Sequence, residues 1–291
     1  MDYATNDFGV VTPDASWLLG LKPRTSVEDF LTRYSKHQDI NIPQSRMIIA
    51  EAIRHHHSTK TRPVPHPECL RNVEQRWYDN LYNDDGPDYG IYDDDHYFAA
   101  LWACWVIYSR SYLRSLMKPN MLEDGSSIHR LFKGSKTVAD LGCGIGYTTA
   151  TLGQLFPESN VYGTNLESTR QYGFCKEMSQ RFEFTVVPDI ASIGEPVDFV
   201  FASEYFEHIS DATDHLSDVL TTLTPQFLYV ANSFNTRSAG HFEFYSATGR
   251  QPLPAKEMTP YFKSIMNEHG YTRLKTRLWN NKPSVWVRKE S

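Results

Sequence analysis

The 291-residue sequence lacks several features that would assign a protein to a class at sight. Its four cysteines form no Cys-x-x-Cys pair, which is typical of free thiols in a reducing compartment. The start of the chain has no basic segment followed by an apolar one, so it does not resemble a secretory leader. The longest apolar stretch, around residues 97–108, is too short to cross a bilayer. These absences predict a cytoplasmic protein without a membrane partner.

An excess of positive charge is also lacking. The formal net charge is −6 and the pI is about 6.0, so bulk electrostatics do not favour binding of nucleic acid, although a local basic face stays possible.

The sequence also lacks the residue spacing of common metal sites. The histidines at 55–57, with His66 and Cys69, do not form the paired pattern of a zinc site. The acidic residues between 84 and 95 lack the spacing of a calcium loop, and we predict no bound metal.

The sequence does have a short apolar run followed by three glycines at alternate positions. Residues 137–141 predict a buried strand, and Gly142, Gly144 and Gly146 follow it before a helix-forming segment. A strand, a glycine turn and a helix together present backbone N–H groups and a helix N-terminus to a ligand. Glycine is needed there because a side chain would block close approach or forbid a positive φ.

The pattern of elements changes near residue 126. Before it, apolar residues at a spacing of three to four predict helices, with Asp93–Asp95 capping the last of them. The predicted helices begin at Ser26 and then cover 43–57, 67–82 and 96–117. After residue 126, apolar runs predict strands, and helical stretches separate the first five of them. The predicted strands cover 137–141, 160–164, 183–188, 197–203, 226–232, 271–279 and 284–288.

Alternating strands and helices predict a mostly parallel sheet with helices on both faces. The last two runs are joined by a short polar link, which predicts an antiparallel hairpin. We therefore predict an α/β fold with a seven-stranded, mostly parallel sheet that ends in an antiparallel hairpin. In this division, residues 1–125 form a helical region that caps the site and shapes the substrate pocket. Residues 126–291 form the ligand-binding domain.

The glycine spacing excludes one class of ligand and indicates another. The dinucleotide fingerprint G-x-G-x-x-G needs a glycine where Tyr147 stands. The segment V-A-D-L-G-C-G-I-G instead resembles the D/E-x-G-x-G-x-G motif of class I, Rossmann-like S-adenosylmethionine-dependent methyltransferases. The matching residues are Asp140, Gly142, Gly144 and Gly146. The resemblance covers about residues 126–291.

This resemblance implies S-adenosylmethionine as the cofactor, with contacts after successive strands. After the second strand, Asn165 replaces the usual ribose-binding acid, and an amide can still accept from one hydroxyl and donate to the other. After the third strand, Asp189 falls where the family faces the adenine amino group, and Ile190 falls beside the ring. The predicted cofactor-binding residues are Asp140, Gly142, Cys143, Gly144, Gly146, Asn165, Leu166, Asp189, Ile190 and Ser203.

Three residues are candidates for acting on the acceptor. The segment S-E-Y-F-E-H-I after the fourth strand resembles the e-x-l-E-H-i segment of methyltransferases of small molecules. It places Glu207 and His208 at the mouth of the site, because ligands of open α/β sheets bind outside the carboxyl ends of the strands. His241, in a polar loop after the fifth strand, is a further candidate for a general base. The alternatives are a charged helix start and ordinary loop hydrogen bonding.

The predicted activity is methyl transfer to an N or O acceptor of a small molecule or nucleotide. Such a transfer is an in-line displacement, and most of its rate acceleration comes from aligning the nucleophile, the methyl carbon and the sulfur. The D-P-P-Y segment of exocyclic-amine DNA methyltransferases and the Pro-Cys pair of cytosine C5 enzymes are absent. Aromatic residues near Tyr89, Tyr92, Tyr97 and Trp102 suit stacking on a planar ring, so an RNA or DNA base stays an alternative. Two further alternatives are transfer of another group from the sulfonium and a non-catalytic nucleotide-binding interaction protein.

Gly144→Val should abolish binding of S-adenosylmethionine while leaving the fold largely intact. The valine side chain would block the close approach of the backbone to the ligand. Calorimetry with S-adenosylmethionine measures the loss, and circular dichroism checks the fold. Cofactor affinity that survived the substitution would show that the loop is assigned wrongly.

Overall fold

The computed structural model describes residues 42–56, 66–83, 86–278 and 283–289. The helix predicted from Ser26 lies outside these residues. The described helices are α1 (Ile42–His56), α2 (Glu68–Tyr82), α3 (Asp95–Cys104), α4 (Arg110–Met117), α5 (Ile128–Phe132), α6 (Tyr147–Leu155), α7 (Arg170–Phe182), α8 (Ala212–Thr222) and α9 (Ala255–Glu268). Short 3-10 helices cover Tyr89–Asp93, Ala191–Ile193 and Phe206–His208, and a π-helix covers Trp105–Ser109.

The main sheet has seven strands, as the sequence predicts. They are β1 (Thr137–Leu141), β2 (Asn160–Thr164), β3 (Thr185–Val187), β4 (Phe199–Ser203), β5 (Phe227–Ala231), β8 (Tyr271–Arg273) and β9 (Pro283–Arg288), and a separate pair consists of β6 (Phe244–Tyr245) and β7 (Leu253–Pro254). Their order in the sheet is β3-β2-β1-β4-β5-β9-β8. The first five pair in parallel, whereas β9 is antiparallel to both of its neighbours.

The predicted Rossmann-like sheet and its antiparallel end are therefore confirmed. All five residues of β1 are buried, since helices cover both faces of a parallel sheet. The prediction missed the β6–β7 pair, because two-residue strands show no alternation in sequence.

The predicted helix over 96–117 is interrupted by the π-helix Trp105–Ser109 between α3 and α4. Its start is capped as predicted, because the Asp94 carboxylate accepts a hydrogen bond from the His96 amide at 2.9 Å. A π-turn adds a residue to a helical turn and is frequent at functional sites.

Side chains on both sides of residue 125 pack into common cores. One cluster joins Ile49 of α1, Trp102 of α3 and Leu113 of α4 to Val138 of β1. A second joins Trp77 of α2 to residues on the other face of the sheet. The helical region is thus packed directly against the sheet.

Two absences hold for the described residues. No helix there is both long and apolar enough to span a bilayer. No group of three His, Cys, Asp or Glu side chains in the same residues has an arrangement that could hold a metal ion.

Candidate active site

A cleft of about 420 Å³ lies at the carboxyl edge of the sheet, which is the size of a ligand pocket. Each of the first four strands contributes the residue that follows it, namely Gly142, Asn165, Pro188 and Glu204. The cleft is also lined by Tyr89, Tyr92, Tyr97, Leu101, Gly144, Thr164, Leu166, Thr169, Gln171, Asp189, Ile190, Tyr205, His208, Ile209 and His215. It lies where the strand order reverses, between β1 and β4, which is the usual ligand position in open α/β sheets.

The glycine loop brings bare backbone to this cleft. Gly142 has φ +68°, and a Cβ there would lie 2.4 Å from a ring carbon of Tyr205. Gly144 has φ +54°, and apart from adjacent residues the nearest atom to a Cβ there is Gln171 Oε1, at 4.0 Å. A side chain at Gly144 would therefore project into the open cleft. Glycine at both positions allows the positive φ, and at Gly144 it also leaves room for a ligand.

Three predicted residues of this motif lie behind the loop and do not line the cleft. Asp140 is 2% exposed and accepts a hydrogen bond from Thr149 Oγ1 at 2.6 Å. Burial raises the pKa of Asp140 to about 7, and the Thr149 hydrogen bond opposes this shift. The Cys143 thiol lies 3.3 Å from the sulfur of Cys175 in the core. Gly146 precedes α6 with φ +82°. These three residues therefore support the loop from beneath.

The residues after β2 line the cleft, but part of their hydrogen-bonding capacity is used internally. Asn165 Nδ2 donates to the Gly144 carbonyl at 2.7 Å, and Asn165 Oδ1 accepts from the Leu166 amide at 2.9 Å. One Nδ2 hydrogen and one Oδ1 lone pair remain for a ligand. Asn165 thus fixes the glycine loop and still has one donor and one acceptor position.

The residues after β3 offer a carboxylate beside an apolar surface. Asp189 and Ile190 both line the cleft. Asp189 Oδ1 accepts from the Ser192 amide at 2.9 Å and from Ser192 Oγ at 2.8 Å. These two hydrogen bonds lower the pKa of Asp189, so its carboxylate stays ionised at neutral pH.

At the end of β4, Glu204 and not Ser203 lines the cleft. Ser203 was predicted to bind cofactor, but it does not line the cleft, and its Oγ lies 3.3 Å from Ser109 Oγ of the π-helix. The next residue, Glu204, does line the cleft and accepts from the Tyr112 hydroxyl at 3.1 Å. Glu204 has φ +52°, a sparsely populated conformation for a residue with a side chain. From the sequence, Glu204 is a residue of a charged helix start, and its spacing from His208 suggests a metal pair that lacks a third ligand.

The three predicted catalytic residues are close together, but only His208 lines the cleft. Its Nδ1 lies 3.1 Å from the Tyr92 hydroxyl oxygen. Its ring packs edge-on against His241 with the ring centroids 4.7 Å apart. Burial, and then the charge of His241, lower the pKa of His208 well below its usual range, so its imidazole is neutral at pH 7.

Glu207 and His241 lie behind the cleft wall. Glu207 is fully buried, and its Oε1 accepts from the Ser233 amide at 2.7 Å. Burial, followed by the charge of Glu204, raises the pKa of Glu207 well above its usual range. His241 Nδ1 donates to the Thr236 carbonyl at 2.8 Å, and burial lowers the pKa of His241 to about 4. These two side chains hydrogen-bond the backbone of the loop after β5 and do not line the cleft.

The segment before α3, together with the first turn of α3, closes one side of the cleft. Tyr89, Tyr92 and Tyr97 line it, as the stacking prediction suggests, whereas Trp102 is buried in the core. The segment is anchored to the start of α7, because the guanidinium of Arg170 donates to Asp95 Oδ1 at 2.7 Å and to the Asp93 carbonyl. The Arg170 amide also donates to the Asp93 carboxylate at 2.8 Å. Polar contacts therefore join the helical region to the predicted cofactor-binding half.

Comparison with known proteins gives one family match. Residues 139–230, from β1 to β5, match the family model described as a methyltransferase domain. A search of curated protein sequences returned no match.

Several solved structures align with this chain at low identity. An O-methyltransferase family protein from Burkholderia thailandensis is 11% identical, covers 93% of this chain and 88% of its own, and has a TM-score of 0.48. A mitomycin 7-O-methyltransferase is 10% identical, with coverages of 94% and 75% and a TM-score of 0.45. A fibrillarin pre-rRNA processing protein from Methanococcus jannaschii is 13% identical, with coverages of 60% and 77% and a TM-score of 0.39. Similarities this small carry no information about the acceptor of this chain.

Asp140→Asn should change how stability depends on pH. The pKa of Asp140 is about 7 in the folded chain, against 3.8 for a free carboxyl, so the folded state binds a proton that the unfolded chain loses. The free energy of unfolding of the wild type should therefore fall between pH 3.8 and about 7, by on the order of 4 kcal/mol. The amide introduced by the substitution does not ionise in this range, so the variant should lack this loss and be the more stable protein above pH 7.

Urea unfolding of both proteins at several pH values between about 4.5 and 8 measures the difference. Parallel pH profiles for the two proteins would contradict the assignment, because they would mean that Asp140 is ionised throughout.

Proposed function

We propose that this chain, which carries a class I S-adenosylmethionine-dependent methyltransferase domain, binds its cofactor in the cleft and methylates an N or O atom of a small molecule or nucleotide. The observation that carries the proposal is the convergence of four strand ends on one cleft, with the bare backbone of Gly144 in its wall. When bound, the sulfonium supplies the methyl group, which leaves sulfur as the lone pair of the acceptor bonds to carbon.

The residues of the cleft fit a sulfonium nucleoside. The space beside Gly144 accommodates the amino-acid portion close to the backbone. The remaining donor and acceptor of Asn165 suit the ribose hydroxyls. The ionised carboxylate of Asp189 suits the exocyclic amine of adenine, and Ile190 and Leu166 offer apolar contact to the ring.

The helical region supports an acceptor pocket on the other side of the cleft. Tyr97 and Leu101 lie four residues apart on α3, share one face of the helix and line the cleft. They face the residues after β4, including Glu204 and His208, across a lining that is mostly apolar. We propose that residues before 126 shape the pocket for the acceptor, whereas residues after it bind the cofactor.

The net negative charge of the chain favours a small-molecule acceptor over nucleic acid. A net charge of −6 gives no overall attraction to phosphates. The tyrosines of the cleft suit a planar acceptor, and that includes a free nucleobase or nucleotide. Methyl-labelled cofactor separates these options, because label in RNA or DNA would select the nucleic-acid alternative.

Asp189→Ala should weaken binding of S-adenosylhomocysteine by roughly tenfold, the value of one charge-assisted hydrogen bond. Asp218→Ala, which removes an exposed carboxylate of α8, is the matched control and should leave the affinity unchanged. Calorimetry on the full chain measures both. A wild type that binds neither S-adenosylmethionine nor its demethylated product at millimolar ligand would overturn the proposal.

The nucleoside product of the reaction distinguishes methyl transfer from transfer of another group of the sulfonium. Methyl transfer releases S-adenosylhomocysteine, so chromatography of the nucleoside product identifies the group that moved. Tighter binding of decarboxylated S-adenosylmethionine than of S-adenosylmethionine itself would favour aminopropyl transfer.

A further inference from the structure

We propose that the carboxylate of Glu204 binds the acceptor. It accepts a hydrogen bond from the N–H or O–H of the attacking atom and then takes that proton. This inference rests on the proposed function. It restricts the acceptor to a hydroxyl or an amine, and it assigns the acceptor contact to a residue outside the three predicted catalytic residues.

The first observation is the position of Glu204 in the sheet. It directly follows β4, and Gly142 directly follows β1, which pairs with β4 so that Leu141 lies opposite Ala202. Glu204 therefore stands across the switch point from the glycine loop. A ligand that touches the loop with one end has its neighbouring atoms within reach of this side of the cleft.

The second observation is the backbone of Glu204. Its φ of +52° places a residue with a side chain in the left-handed region, which costs about 1–3 kcal/mol. The conformation is held by a hydrogen bond from the Glu204 amide to the Ala231 carbonyl at 2.7 Å. Such strain is found at sites where a side chain has to be held in one direction. Here the strained residue lies in the wall of the cleft.

The third observation is the set of groups that hold the carboxylate. The Tyr112 hydroxyl of α4 donates to Glu204 Oε1 at 3.1 Å. On the neighbouring residue, Ser203 Oγ meets Ser109 Oγ of the π-helix at 3.3 Å. The interrupted helix thus contacts two consecutive residues at the end of β4. These contacts fix Glu204 relative to α3, which supplies Tyr97 and Leu101 to the same cleft.

The fourth observation is the buried side chain of Glu207, which lies beside the carboxyl group of Glu204. Burial and the charge of Glu204 raise the pKa of Glu207, and a side-chain hydrogen bond between the two carboxyl groups acts in the same direction. Glu207 therefore keeps its proton and can donate it to Glu204. Because Glu207 is fully buried and Glu204 lines the cleft, Glu204 is the carboxyl group of the pair that an acceptor can reach.

The proton and charge balance is simple. The acceptor loses one proton to a Glu204 oxygen and gains one methyl group. The positive charge of the sulfonium and the negative charge of the carboxylate are lost together, so no further reactant is required.

Sinefungin tests the position without knowledge of the acceptor. This cofactor analogue carries a primary amine on carbon in place of the methyl-bearing sulfonium, so its ammonium group reports on the transfer position. The full chain should bind sinefungin more tightly than S-adenosylhomocysteine. Glu204→Gln should reduce that preference at least about tenfold while changing the affinity for S-adenosylhomocysteine less than about twofold.

Glu257→Gln removes the same charge from an exposed position on α9 and should leave the preference unchanged. Calorimetry with the two analogues on the three proteins gives the preferences. A wild type without the preference, or a Glu204→Gln variant that retains it, would overturn the role of Glu204. If Glu204→Gln lost S-adenosylhomocysteine binding while the other two proteins kept it, the proposed role would also be overturned, because Glu204 would then bind the cofactor and not the acceptor. Absence of binding of both analogues to the wild type would overturn the proposed function itself.

Discussion

The parallel pairing of β1 with both β2 and β4 is the constraint on which the candidate site depends. The chain moves outward from β1 to β2 and β3 on one side and returns to β4 and β5 on the other. The connecting loops therefore separate at the carboxyl end of β1, and the gap becomes a cleft. Gly142, Asn165, Pro188 and Glu204 reach that cleft because each directly follows a strand. The N-terminal helices add the opposite wall, held by Arg170 at the start of α7.

Much of the fold could be predicted because its strands are continuous apolar runs, and such runs are what buried parallel strands require. The sequence could not reveal β6 and β7, which are too short to show a period. Of the residues that the sequence predicts for the site, Gly144, Asn165, Asp189 and His208 line the cleft. It could not tell which way the side chains of Asp140, Cys143, Glu207 and His241 point, since a motif specifies residue types and not directions. The sequence did not indicate that Glu204 lines the cleft, because its positive φ is visible only in the structure.

The acids of the site divide into two kinds according to their burial. Asp140 and Glu207 lie in the core, where desolvation raises the pKa of Asp140 to about 7 and that of Glu207 well above its usual range. Each supports a loop, Asp140 through Thr149 and Glu207 through the Ser233 amide. Asp189 and Glu204 face the cleft instead. The carboxyl groups that a ligand in the cleft can reach are therefore the latter two, one on the side of β3 and one on the side of β4.

The central claim is that one cleft binds the cofactor with its reactive end toward the residues after β4. A crystal structure of the full chain with S-adenosylhomocysteine tests this most directly. The account predicts adenine beside Ile190 and Asp189, the amino-acid portion against Gly144, and the sulfur facing the side of the cleft formed by Glu204 and Tyr97. A ligand bound outside this cleft, or one with its sulfur directed away from Glu204, would contradict the account.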